Sequence, residues 1–212
     1  MLRVSKRLHI GAKAMPETIE TTVYQFDELS ESAKDAARNW WKSASADDDW
    51  YEYTYEDVKE CGALIGITVD RIYFSGFSSQ GDGACFEGSY AYKKGASAAI
   101  AAHTGGCDKL QNIAAALQET QRKAFYRLTA KVKHNGHYMH ENCTDIDTYN
   151  GMTGDYATNE QCDEIAASLR DFMRWTYREL ERAYDYFMSN ENVDDIIRIN
   201  EYTFSEDGER FG

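Results

Sequence analysis

Residues 158–188 place the tightest constraint on any fold this chain can adopt. Ile165, Leu169, Phe172, Met173, Thr176, Leu180, Ala183 and Phe187 recur at three- and four-residue steps, with arginines and acids between them. That spacing predicts one long amphipathic helix, whose apolar ridge must lie against another layer. Thr158 and Gln161 stand three apart in the pattern of a capping box, which marks where the helix begins. Ser189-Asn190 interrupts it, a short helix is expected over 192–199, and Tyr202–Phe204 reads as a closing strand.

The layer under that ridge has to come from the strands upstream. Thr21–Phe26 is β-branched and aromatic, and reads as a first strand. Ser30 is a good N-cap for a helix carrying Ala33, Ala36, Ala37, Trp40 and Trp41, with residues 43–46 as its exit. Asp47, Asp48 and Asp49 suit the positive end of a second helix. On it Trp50, Thr54, Val58, Cys61 and Ile65 share a face, and Gly62 and Gly66 mark its end. Segments 67–77 and 84–92 read as strands joined by the six residues SSQGDG, too few for a crossover, so they should pair antiparallel. A short helix over 96–102 ends at Gly105-Gly106. Another over 108–126 turns Leu110, Ile113, Ala114, Leu117, Gln121 and Phe125 inward. Asn135-Gly136, between Leu128–His134 and His137–Cys143, predicts a two-residue hairpin turn. Helices and strands mix without strict alternation. The expected class is α+β: an antiparallel sheet of about four to six strands packed with several helices, including one long C-terminal helix.

Residues 1–14 hold four bases and no acid and read as a basic extension, leaving 15–212 as a single α+β domain. No apolar run is long enough to span a bilayer, so no membrane role is expected. Five dispersed cysteines without a Cys-x-x-Cys pair point to reduced thiols and a cytoplasmic setting. The formal charge of −13 is unevenly placed. Residues 27–60 carry eleven acids and four bases (−7), and residues 155–212 carry fifteen and six (−9). Residues 61–154 carry eight acids and nine bases (+1). Two acidic flanks around a near-neutral centre disfavour nucleic acid as a partner and favour a protein with a basic surface.

Three groups of residues could carry chemistry. His134, His137, His140 and Cys143 invite a divalent metal such as zinc, yet the expected hairpin brings only His134 and His137 opposite each other. The loop Gln80, Gly81, Asp82, Gly83 could approach an anion, or hold a cation through Asp82. It lacks the lysine of a phosphate loop and the repeated acids of a calcium loop, which leaves a glycine turn as the simpler reading. Cys85 beside it has no assigned base. Trp40, Trp41, Trp50, Tyr51, Tyr53 and Tyr55 exceed what one inward stripe holds, so Tyr51 and Tyr55, with Asp47, Asp48 and Asp49, form the candidate partner-binding face.

The segments YQFDELSESAKDAARNWW (24–41), IYFSGFSSQGDGACFEGSYAYKKGA (72–96), FYRLTAKVKHNGHYMHENCTDID (125–147) and LRDFMRWTYRELERAYDYFMSNENVDDIIRINEYTF (169–204) resemble a family of small proteins of tailed phages and prophages. FSGFSSQGDGACFEG is the most specific of these matches. Some members are labelled antitoxin of a toxin–antitoxin stability system. The resemblance implies the cytoplasm of an infected or lysogenic bacterial host and carries over no catalytic residues. With no catalytic set and no cofactor indicated, the expectation is an acidic interaction protein that binds and inhibits or neutralises a bacterial host or defence protein. The long helix leaves room for a homodimer. The alternative is a metal-assisted hydrolase or nucleotide-binding enzyme built from the QGDG loop and the HNGH turn.

Overall fold

The computed structural model describes residues 21–45 and 48–212; the basic segment 1–14 and Asp47 lie outside the described residues. In chain order the elements are β1 (Tyr24–Gln25), α1 (Glu31–Ala44), α2 (Glu52–Leu64), β2 (Ile67–Phe74), β3 (Ala84–Ala91), α3 (Ala96–Thr104), α4 (Asp108–Lys123), β4 (Leu128–His134), β5 (Thr144–Asn150), α5 (Asn159–Phe187), α6 (Asn190–Ile199), β6 (Thr203–Phe204) and β7 (Arg210–Phe211). Two antiparallel sheets, ordered β1-β6-β7 and β2-β3-β4-β5, together with these helices make the fold α+β, the class expected. The span 15–212, read above as one domain, is described as two compact units: residues 45–193, and the described residues up to Ala44 with 194–212.

The larger unit is a four-stranded meander covered by helices. Ile67, Val69 and Ile72 of β2, Phe86 and Tyr90 of β3, and Leu128, Ala130 and Val132 of β4 are all buried in one apolar cluster. Alternation alone would turn Arg71 inward. A bulge between Val69 and Arg71 adds one residue and restores Ile72 to the core. Opposite it Gly88 pairs with Val69, and a Cβ there would lie 1.9 Å from the Thr68 carbonyl oxygen, so only glycine fits. The ridge of α5 covers this sheet. Ile165, Leu169, Phe172, Met173 and Leu180 are fully buried, and the Phe172 ring meets Phe86 edge-on at 5.9 Å. Both halves of the Thr158–Gln161 capping box form, as the sequence predicts. Among the described residues no helix is long and apolar enough to cross a membrane.

The smaller unit is built on Phe26, Ala33, Ala37, Trp41, Ile197 and Phe204, all buried. Ser30 caps α1 by accepting from the Ala33 N–H at 3.3 Å. Arg38 forks onto Asp194 at 2.6 and 2.7 Å while its guanidinium lies 5.5 Å from the Phe26 ring centre. Arg198 covers the same ring at 5.3 Å and bonds Asp27.

Four local expectations fail for physical reasons. The first strand shrinks to two residues, because the Glu28 carboxylate accepts from the Gln25 N–H at 2.7 Å and closes a 3-10 turn over Phe26–Glu28. The expected exit at 43–46 is helical through Ala44, since serine and alanine do nothing to stop a helix. Helix α4 ends at Lys123, and Phe125 is exposed rather than inward. There the buried Gln121 amide bonds both the N–H and the carbonyl of Leu128 and ties the start of β4 to the helix, while Phe125 and Tyr126 take left-handed conformations. Most consequential, Asn135-Gly136 is not a two-residue hairpin turn. Strand β4 pairs with β5, His134 opposite Thr144 and Val132 opposite Ile146, and residues 135–143 form the loop between them. Thr144, Ile146 and Thr148 offer β-branched side chains at alternate positions, which HYMHENC does not.

Candidate functional site

The second helix begins among rings. Trp50 precedes α2, and its N–H is bonded to the Asp48 carbonyl at 2.9 Å. One residue on, Tyr51 donates its hydroxyl to Asp49 at 2.8 Å, and this bond raises the phenol's pKa. Tyr55 lies one helical turn later with its ring 4.9 Å from that of Tyr51. Burial, then the neighbouring Tyr51, pushes the Tyr55 phenol up to about 12. Both rings are half-buried, while Tyr53, facing the other way, is 84% exposed.

Three other parts of the larger unit bring rings to the same place. Phe74 ends β2, Phe77 follows Gly76 in the loop, and Tyr184 and Phe187 come from the last turns of α5. Trp50 sits among them, with ring centres 5.6 Å from Phe74, 6.1 Å from Phe77, 5.2 Å from Tyr184 and 6.4 Å from Phe187. The cluster borders a groove of about 600 Å³ whose rim carries Asp48, Glu181 and Asp185. Every one of these rings is half-buried, and of them Tyr55 packs against the main apolar cluster. The structure thus brings Asp48, Asp49, Tyr51 and Tyr55 together. Trp40 and Trp41 fall in the smaller unit, where Trp40 packs edge-on against Tyr202. The contribution of Phe74, Phe77 and Tyr184 was missed. Its only sequence signal is Phe-Ser-Gly-Phe at the end of a strand, which does not say what it will meet.

The glycine loop holds itself together. The Asp82 carboxylate accepts from the N–H groups of Ser79 at 2.7 Å and Ser78 at 3.0 Å, and these bonds hold its pKa below the usual value against the opposing effect of burial. From α5, Tyr177 donates to the Gly76 carbonyl at 2.9 Å. Gln80, Gly81 and Gly83 complete the turn. Loop 135–143 packs against it: a Cβ on Gly83 would lie 3.1 Å from the His140 Cα, and one on Gly81 would lie 3.9 Å from the Tyr138 ring. The histidines do not converge there. His134 stacks on Tyr73 at 4.6 Å, with Nε2 3.1 Å from the Tyr138 carbonyl, while His137 lies edge-on to Tyr138. His140 Nδ1 is instead 3.1 Å from Glu141, which Arg174 also bonds. Among the described residues no group of three or more His, Cys, Asp or Glu is placed to hold a metal ion. Cys85 is buried, and burial pushes its thiol up to about 12, the opposite of what a nucleophile needs.

Two other hollows offer less. The one of about 840 Å³ beside Ser30 and Ser205–Asp207 has, among the described residues, one ring, that of Tyr24. The one of about 400 Å³ between Lys109, Arg174, Arg178, Arg182 and Trp175 is basic, but most of its cations are already paired. Asp171 bonds both Lys109 and Arg174, and Glu179 pairs with Arg182.

No curated protein and no solved structure matches the chain. A family model does match, over residues 50–190, a span that lies inside the larger unit and opens on Trp50. That span is two thirds of the sequence, and the chain belongs to the family described as Domain of unknown function (DUF8835).

Proposed function

We propose that this is a phage-encoded acidic interaction protein, which binds a basic surface of a bacterial host or defence protein and inhibits or neutralises it. One observation carries the reading: a groove of half-buried rings around Trp50, rimmed by the carboxylates of Asp48, Glu181 and Asp185. Rings that are only partly covered keep apolar area for a partner, and carboxylates beside them select a positive one. The charge of −13 gives the same preference at long range. The phage setting, and with it the host cytoplasm and the antitoxin-like role, rests on the resemblance of the FSGFSSQGDGACFEG segment.

The test is capture from host lysate with the full chain, alongside a Trp50→Ala variant whose circular dichroism matches the parent. A one-to-one partner is expected at low salt, diminished both by raised salt and by the variant. A complex indifferent to salt and to Trp50 would refute the reading.

A second reading draws on the contact between the QGDG loop and loop 135–143. A metal-assisted hydrolase or nucleotide-binding enzyme would have to draw Asp82, His134 and His137 together, which lie on separate partners beside this contact. It requires stoichiometric metal in the purified protein and loss of activity on His137→Ala. Elemental analysis decides it.

A further inference from the structure

We infer that the groove beside Trp50 is a receptor for one arginine side chain, presented by the basic partner proposed above. The inference rests on that reading and adds the chemistry of recognition. The rings of Trp50, Phe77 and Tyr184 line the groove together with Asp48, Glu181 and Asp185, and aromatic rings and carboxylates both attract a cation. Among the described residues, none of these three carboxylates forms an ion pair with a basic side chain, whereas Asp194 and Asp171 do. Tyr177 lies close by, its hydroxyl pushed up by burial and then by the negative charges of Asp82 and Glu181. A cation is therefore the favoured occupant, and nucleic acid the disfavoured one.

Two features select arginine over lysine. A planar guanidinium can lie on a ring while its N–H fork reaches carboxylates in different directions, which a compact ammonium cannot do. The smaller unit already uses that arrangement: Arg38 lies over Phe26 at 5.5 Å and forks onto Asp194, and Arg198 covers the same ring and bonds Asp27. All five cation–ring contacts among the described residues are made by arginine. The groove beside Trp50 brings the same two kinds of group, rings and carboxylates, to one place.

The test follows the indole N–H resonance of Trp50 in the full chain, assigned by its loss in Trp50→Phe. The probes are N-acetyl-arginine amide, its lysine counterpart, tetramethylammonium and the neutral isostere N-acetyl-citrulline amide. The arginine probe should shift the resonance saturably, the lysine probe should bind several-fold more weakly, and citrulline about tenfold more weakly or not at all. The double variant Glu181→Gln/Asp185→Asn, which preserves shape, should weaken the arginine probe about threefold to tenfold while the rest of the spectrum stays in place. Equal response to citrulline, tighter binding of lysine or tetramethylammonium, or indifference to the double variant would each overturn the inference. Capture of the partner by the same double variant separates the two claims. If the partner still binds through Trp50 but no arginine probe does, the receptor fails and the interaction reading survives.

Discussion

At the scale of single residues, burial decides which reactive groups are available. Cys85 pairs with Tyr73 across β2 and β3 and is almost wholly covered, so its thiolate would have to form in a medium that cannot solvate it. Its thiol is held near 12, and that of the buried Cys61 near 11, burial being the leading cause in both. Cys107, Cys143 and Cys162 are only partly covered. Mass-resolved labelling of the native chain with iodoacetamide at pH 8 should therefore modify one or more of these three first, leaving Cys61 and Cys85 intact until denaturant is added. Rapid labelling of Cys85 in the native state would contradict the packing and revive the nucleophile reading. Asp82 makes the converse point. Its carboxylate is occupied by two backbone N–H groups of its own turn, so its low pKa reflects loop geometry without requiring a ligand.

At the scale of elements, the long helix shows what local sequence controls. With 29 residues, α5 extends about 44 Å. Its start is fixed by the Thr158 hydroxyl accepting from Gln161 N–H and the Gln161 side chain accepting from Thr158 N–H. Thr158→Ala should lower stability by about 1 kcal/mol, read as a lower urea midpoint at unchanged slope, because it orphans a helix donor. An unchanged midpoint would show that packing alone sets the helix start. The ridge, the cap and the antiparallel pairing of β2 with β3 were all legible in the sequence, because each follows from spacing within a few residues. The bulge at Val69–Arg71 and the β4–β5 pairing were not. Asn135-Gly136 satisfies every local rule for a tight turn, yet strand pairing is decided by which following segment can bury side chains, and that is Thr144–Asn150. The same limit hid the groove. Tyr51 and Tyr55 were visible four residues apart, but Phe74 reaches them, and Phe77 and Tyr184 reach Trp50, only through the tertiary fold.

At the scale of the whole molecule, the question is which part of the chain suffices for this architecture. The larger unit, residues 45–193, contains the complete β2-β3-β4-β5 sheet, and the described members of its apolar cluster run from Val58 to Trp175. The family match at 50–190 falls within the same limits. Every side chain of the groove, from Asp48 to Phe187, is also inside them. About 150 residues with one continuous core is an ordinary size for a self-sufficient domain. A fragment of residues 45–193 should therefore unfold in one cooperative thermal transition and keep the Trp50 indole resonance where the full chain has it. The cut falls within α6 and keeps only its first turn, where the Asn192 side chain bonds the Phe187 carbonyl and supports the end of α5. A fragment that unfolds without cooperativity, or binds a hydrophobic dye in water, would show that this core needs the residues beyond Val193. A cooperative fragment with a displaced Trp50 resonance would mean instead that the fold is autonomous while the ring cluster depends on the remainder of the chain.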